Sequence, residues 1–201
     1  MPKPSFTRVT VELLVVLAGV SAVVAFVPLS SRWFLAVSGS ACVLAVLYAV
    51  YGVLRIPGAA AWWGFTWGGR YADELARGIW NTVLLFLAAL LPVALVKCLN
   101  VATPHPGHPI GYLVWCVVQD FLFFSLVLRG FDRLLSGKMA GHQHLAVVVT
   151  AALFGLSHFP MVGFMAVTAL IAVFWGYIFF RTHLLWPITG LHFLLGLLIM
   201  L

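Results

Sequence analysis

Four side chains carry strong polar chemistry into stretches that are otherwise apolar. Gln119 and Asp120 lie in VVQDFLFFS, His158 in ALFGLSHFP, and His192 in TGLHFLLG. One carboxylate and two imidazoles are the groups that activate a water, steady an oxyanion or hold a divalent metal. A lone buried histidine more often just satisfies one hydrogen bond, so His158 and His192 gain weight only together with an acid. Asp120 is harder to set aside. A carboxylate at the centre of a bilayer helix costs about 2.5–3.5 kcal/mol on insertion scales, and such acids default to functional roles.

These residues need elements that bring them to one depth. The chain has 201 residues, 64% hydrophobic and 8% charged, too few charges to clothe a soluble domain. An all-α, polytopic membrane helix bundle follows. About 20 apolar residues cross a bilayer core, and seven stretches qualify: 11–30, 33–54, 79–99, 110–131, 144–159, 163–180 and 184–201. The first follows a short basic start and lacks a clean small-residue cleavage site, so it reads as an uncleaved span. The segment 55–75 is rich in Gly and Trp and reads as an interfacial loop or short helix, with Trp62, Trp63 and Trp67 as headgroup anchors.

The cations set the orientation. With the N-terminus inside, Lys3, Arg8, Arg55, Arg70, Arg77, Arg129, Arg133, Lys138 and Arg181 fall on the cytoplasmic side, and Arg32 and Lys97 outside. That split obeys the positive-inside rule. The net charge of +6 is spread between the spans, so it implies no nucleic-acid partner. On this layout Asp120 and His192 both lie roughly 13–15 Å into a core of about 30 Å. Arg129, nine α-helical residues beyond Asp120, falls on the opposite face and is no local partner for it. Cys42, Cys98 and Cys116 match no zinc spacing and read as free, buried thiols.

Two segments, ALFGLSHFP (152–160) and VFWGYIFFRTHLLWPITGLHFLLG (173–196), resemble the CPBP family of intramembrane proteases. This is the CAAX-prenyl-protease type 2 and bacteriocin-processing group, also called the ABI family. Its motifs are Glu-Glu-x-x-x-Arg, Phe-x-x-x-His and His-x-x-x-Asn or a variant, on successive core helices. The second motif is intact as Phe154 and His158. The third keeps His192 but has Gly196 at its fourth position. Gly176, Arg181, Thr182, Leu185, Trp186 and Pro187 keep the connecting signature. Aligned without gaps, the first motif puts Gln119 and Asp120 on the Glu positions and Phe124 on the Arg position. The resemblance spans about residues 110–201, dividing the chain into N-terminal helices and loop (1–109) and a four-helix protease-like core (110–201).

The resemblance implies an endopeptidase in which Asp120 is the general base, His158 orients the water and His192 donates to the oxyanion. Gln119, Phe154 and Gly196 would support them. A cofactor is either absent or a divalent metal such as zinc, which would fall to His158 and His192. The implied partners are the lipid bilayer and a membrane-anchored protein or peptide substrate, with the chain in a bacterial cytoplasmic membrane. The departures at 119, 120, 124 and 196 also admit a second reading, a catalytically inactive relative acting as a membrane scaffold or bacteriocin-immunity factor. A transporter reading has less support, because the sequence shows no discontinuous helices in paired halves. His105, His108, His142, His144 and His183 read as loop or junction residues.

Overall fold

The computed structural model describes residues 6–26, 31–56, 59–65 and 109–200, together with Ala94. The expected third span over 79–99, the loop with His105 and His108, Cys98, Trp67 and the side chain of Cys42 lie outside the described residues. Every regular element among the described residues is a helix. They are α1 (Phe6–Phe26), α2 (Ser31–Arg55), a single turn α3 (Ala59–Trp62), α4 (Pro109–Leu135), α5 (His142–Leu156), α6 (Val162–Thr182) and α7 (Trp186–Met200).

α4 and α6, at 27 and 21 residues, are long and apolar enough to cross a membrane; α5 and α7 are shorter apolar helices. Their outward faces carry Ile110, Val114, Val148, Val162 and Leu194, each more than half exposed. An apolar exterior of this kind on an apolar core suits lipid and not water. α4 is the hub, touching α1, α2, α5, α6 and α7. Tight turns close the hairpins. Gly137 and Gly141 adopt positive φ between α4 and α5, and His183 caps α6 in the left-handed region, its N–H bonded to the Phe179 carbonyl at 2.8 Å.

α5 and α6 form the most closely packed pair, an antiparallel hairpin. Small residues permit the approach, as they do between membrane helices generally. A Cβ on Gly155 would sit 2.6 Å from the Met165 carbonyl oxygen and 2.7 Å from the Ala169 Cβ. Gly155→Val is expected to push these helices apart and cost about 1–3 kcal/mol. A lower midpoint of thermal unfolding in detergent would register it, and an unchanged midpoint would contradict the packing.

Two sequence expectations need correction. Trp63 is not a headgroup anchor. It is fully buried, with its ring edge-on to Phe121 at 5.3 Å and the Arg8 guanidinium over it at 5.3 Å. Its carbonyl accepts from Ser125 Oγ at 2.6 Å, and the Gly64 carbonyl accepts from the Leu185 N–H at 3.0 Å. α2 makes room with Gly52, where any side chain would collide with the indole. The turn around α3 therefore dips into the bundle, where protein groups satisfy its irregular backbone.

The second correction concerns α4. From Phe121 to Leu128 it widens into a π-helix. With i→i+5 bonding, each turn holds more residues than an α-turn, so the α-helical count that sets Arg129 opposite Asp120 does not hold here. Arg129 is nevertheless not the partner of Asp120. Its Nη2 meets His183 Nδ1 at 3.0 Å, and its guanidinium lies over Trp62 and Phe179 at 4.8 and 5.1 Å. Arg129 thus ties α3, α4 and the α6–α7 junction together.

Candidate active site

Asp120 is the last α-helical residue of α4 before the π segment and is completely buried. Its Oδ1 accepts from His192 Nδ1 on α7 at 2.9 Å. The pair joins residues 72 positions apart, so its formation depends on α4 and α7 packing in this register. Trp175, Phe154 and Tyr112 wall the imidazole, at ring separations of 4.9, 5.6 and 6.2 Å. A carboxylate stripped of water is tolerated when a paired, hydrogen-bonded group faces it. His192 provides that on one oxygen. Asp120 Oδ2 is buried and has no hydrogen-bond partner among the described residues.

Gln119 points elsewhere, as a step of about 100° around a helix requires. Its Nε2 donates to Ser157 Oγ at 3.2 Å, and Ser157 Oγ donates to the Phe154 carbonyl at 2.7 Å. That carbonyl also receives His158 Nδ1 at 2.9 Å. A carbonyl only accepts, so the proton sits on Nδ1 and Nε2 is left as the free nitrogen. Ser157 and Thr168 hydroxyls lie 3.4 Å from the same Nδ1. The adjacent Gln119 and Asp120 therefore divide their work: one braces the turn that carries His158, the other binds His192.

Phe154 links the two halves. Its ring packs on His158 at 5.3 Å and on His192 at 5.6 Å. The i, i+4 spacing of Phe154 and His158 would share an α-helical face, but α5 ends at Leu156 and His158 sits in the turn beyond it. Asp120 and His192 are thus in direct contact, with His158 gathered beside them through Phe154. His105 and His108 lie outside the described residues. His142 faces Asp132 at 3.2 Å and His144 faces the Tyr177 hydroxyl at 2.7 Å, both near the α4–α5 turn and apart from this cluster.

A divalent metal needs three or four converging donors. Among the described residues no three His, Cys, Asp or Glu side chains group in a way that could hold one. Asp120 Oδ1 is taken by His192 Nδ1, and His158 Nδ1 by a carbonyl. As arranged, these donors form no metal site among the described residues.

Tyr112, which faces position 196, went unread in the sequence. The Tyr112 hydroxyl occupies the place where a side chain on Gly196 would begin. The Cys116 thiol, fully buried and free, lies within interaction range of both Tyr112 and His192. Tyr112, Cys116 and Asp120 stand at i, i+4 and i+8 on α4, a spacing that places them on one broad face. That spacing was the available signal, hidden because tyrosine and cysteine also suit an apolar stripe. Phe124, at the first-motif Arg position, is fully buried against Phe154, Trp175 and Phe179 at 6.0, 6.2 and 6.4 Å.

An apolar helical bundle with a buried carboxylate–imidazole pair between its helices defines a class: membrane-type helical proteins with a polar site inside the bundle. The family is more specific. Residues 80–198, more than half of the chain, match the family described as Type II CAAX prenyl endopeptidase Rce1-like. The chain belongs to this Rce1-like family, whose members are integral membrane proteins of the CAAX-protease type. The match reaches upstream of residue 110, where the motif resemblance starts. No curated protein and no solved structure matches the chain.

Proposed function

We propose that the protein is an intramembrane endopeptidase that cleaves a membrane-anchored protein or peptide with a carboxylate-activated water. The observation that carries this reading is the buried Asp120–His192 pair, held at 2.9 Å through Oδ1, with Oδ2 unpartnered among the described residues. In the proposed reaction Oδ2 takes a proton from a water, and the water oxygen attacks the scissile carbonyl carbon. His192 fixes the carboxylate through Nδ1–H. In its cationic form it also presents Nε2–H to the developing oxyanion. His158, its Nδ1–H spent on the Phe154 carbonyl, offers Nε2 as an acceptor that orients the same water. Collapse of the tetrahedral intermediate returns the proton to the leaving amine. The proposed setting is a bundle of about seven spans, N-terminus inside, in a bacterial cytoplasmic membrane. Residues 110–201 form its catalytic core, and residues 1–109 its flanking helices.

One observation favours a second reading, a relative that binds membrane segments without cutting them. Phe124 fills with aromatic packing the place where the family pattern has arginine. Mapping the protein termini of membrane and exported proteins separates the two. Cells carrying wild type are compared with cells carrying His158→Ala at matched expression. Termini present with wild type and lost with His158→Ala are expected, confined to one set of proteins. Identical termini, with a phenotype shared only by the full deletion, would establish the non-cutting reading.

A further inference from the structure

Gly196 follows His192 by one turn of α7 and so shares its face, yet it offers no donor. The space is not empty. A Cβ built on Gly196 would run into the Tyr112 hydroxyl. Tyr112 reaches this point from α4, across the interface that also joins Asp120 to His192. Its ring stands edge-on to His192 at 6.2 Å and lies against Phe193 at 5.9 Å. The phenol therefore ends about one helical turn, ~5.4 Å along α7, from the catalytic imidazole. A side chain on residue 196 would set out from the same place. A phenolic O–H is a hydrogen-bond donor, as a carboxamide is.

We infer that Tyr112 supplies across the α4–α7 interface the donor that position 196 lacks, its hydroxyl stabilising the oxyanion of the peptide substrate beside His192. This rests on the endopeptidase reading above. Gly196 is then the necessary complement of Tyr112: the donor has moved from one helix to the other, and the vacated position has shrunk to admit it. Tyrosine suits the task because its ring is rigid and its O–H is aimed by packing instead of by a flexible chain.

Three substitutions test the assignment in the full-length protein. Tyr112→Phe deletes only the hydroxyl and keeps the ring against His192 and Phe193. The rate at which protein-dependent termini accumulate after induction is expected to fall about 10²–10³-fold, with the thermal midpoint in detergent unchanged. Gly196→Asn alone is expected to lower the midpoint, because the new side chain and the phenol compete for one space. Tyr112→Ala combined with Gly196→Asn removes that conflict and returns a donor to α7, so it should raise the midpoint above that of Gly196→Asn and cut faster than Tyr112→Ala. Wild-type rates in Tyr112→Phe, beside termini lost in His192→Ala, would overturn the role of Tyr112 and leave the endopeptidase standing. Termini identical in wild type and His192→Ala would remove the endopeptidase and this assignment with it. A slow Tyr112→Phe with an equally lowered midpoint and no rescue by the double substitution would reduce Tyr112 to a packing residue.

Discussion

Asp120→Asn is expected to leave a folded bundle in which the proposed cleavage runs about 10²–10⁴-fold more slowly, the usual contribution of a positioned general base. The asparagine carbonyl can still accept from His192 Nδ1, so the 2.9 Å contact between α4 and α7 survives. What is lost is the other oxygen. Its place is taken by an NH₂ group, which donates and cannot take a proton from water. Accumulation of termini after induction measures the rate, and the thermal midpoint checks the fold. The choice of Asn matters. Asp120→Ala would strand a buried imidazole without its partner and confuse chemistry with stability. Equal rates in wild type and Asp120→Asn would move the chemistry away from this carboxylate.

Restoring the first-motif arginine by Phe124→Arg is expected to damage the protein, not improve it. Phe124 is fully buried among Phe154, Trp175 and Phe179. Removing such an aromatic side chain costs about 3–5 kcal/mol, and an unpaired guanidinium buried in its place adds a further penalty. The variant should fail to accumulate, or should melt far below wild type in detergent. Phe124→Leu, which keeps the site apolar, should melt between the two. A Phe124→Arg protein as stable as wild type would mean that this pocket accepts a charge.

The physics of these two substitutions also explains what the sequence displayed. Composition and apolar runs made the helices legible, and α4, α5, α6 and α7 fall close to the stretches expected for them. Asp120 and His192 could be placed at one depth because a helix rises by a constant amount per residue. Constant geometry does not carry through to Arg129, although the conclusion that it is no partner of Asp120 holds. No residue in FLFFSLVL announces a π-helix, since the wider turn depends on how neighbours pack against it. Trp63 was misread for a related reason. Tryptophan is common at membrane interfaces, and only Gly52 on another helix provides the room that draws it inward. Tyr112 was missed because its importance lies in a collision with Gly196, 84 positions away, and a single chain read in order does not display collisions.

The shortness of α5 has a consequence for the surrounding lipid. Its 15 residues reach roughly 22 Å, against a hydrocarbon core of about 30 Å. Its antiparallel partner α6 has 21 residues and covers the full thickness. The turn that carries Ser157 and His158 leads directly into the first turn of α6, so the extra length of α6 shows at the other end of α5, where His144 meets Tyr177 and α6 runs on to Thr182. Carbonyls below the level of the headgroups demand either protein donors or a local hydration defect. A bilayer meets such a mismatch by thinning against the short helix. The lipid beside the α4–α5 turn, away from Asp120, His158 and His192, is therefore where a bilayer would adapt most to this fold.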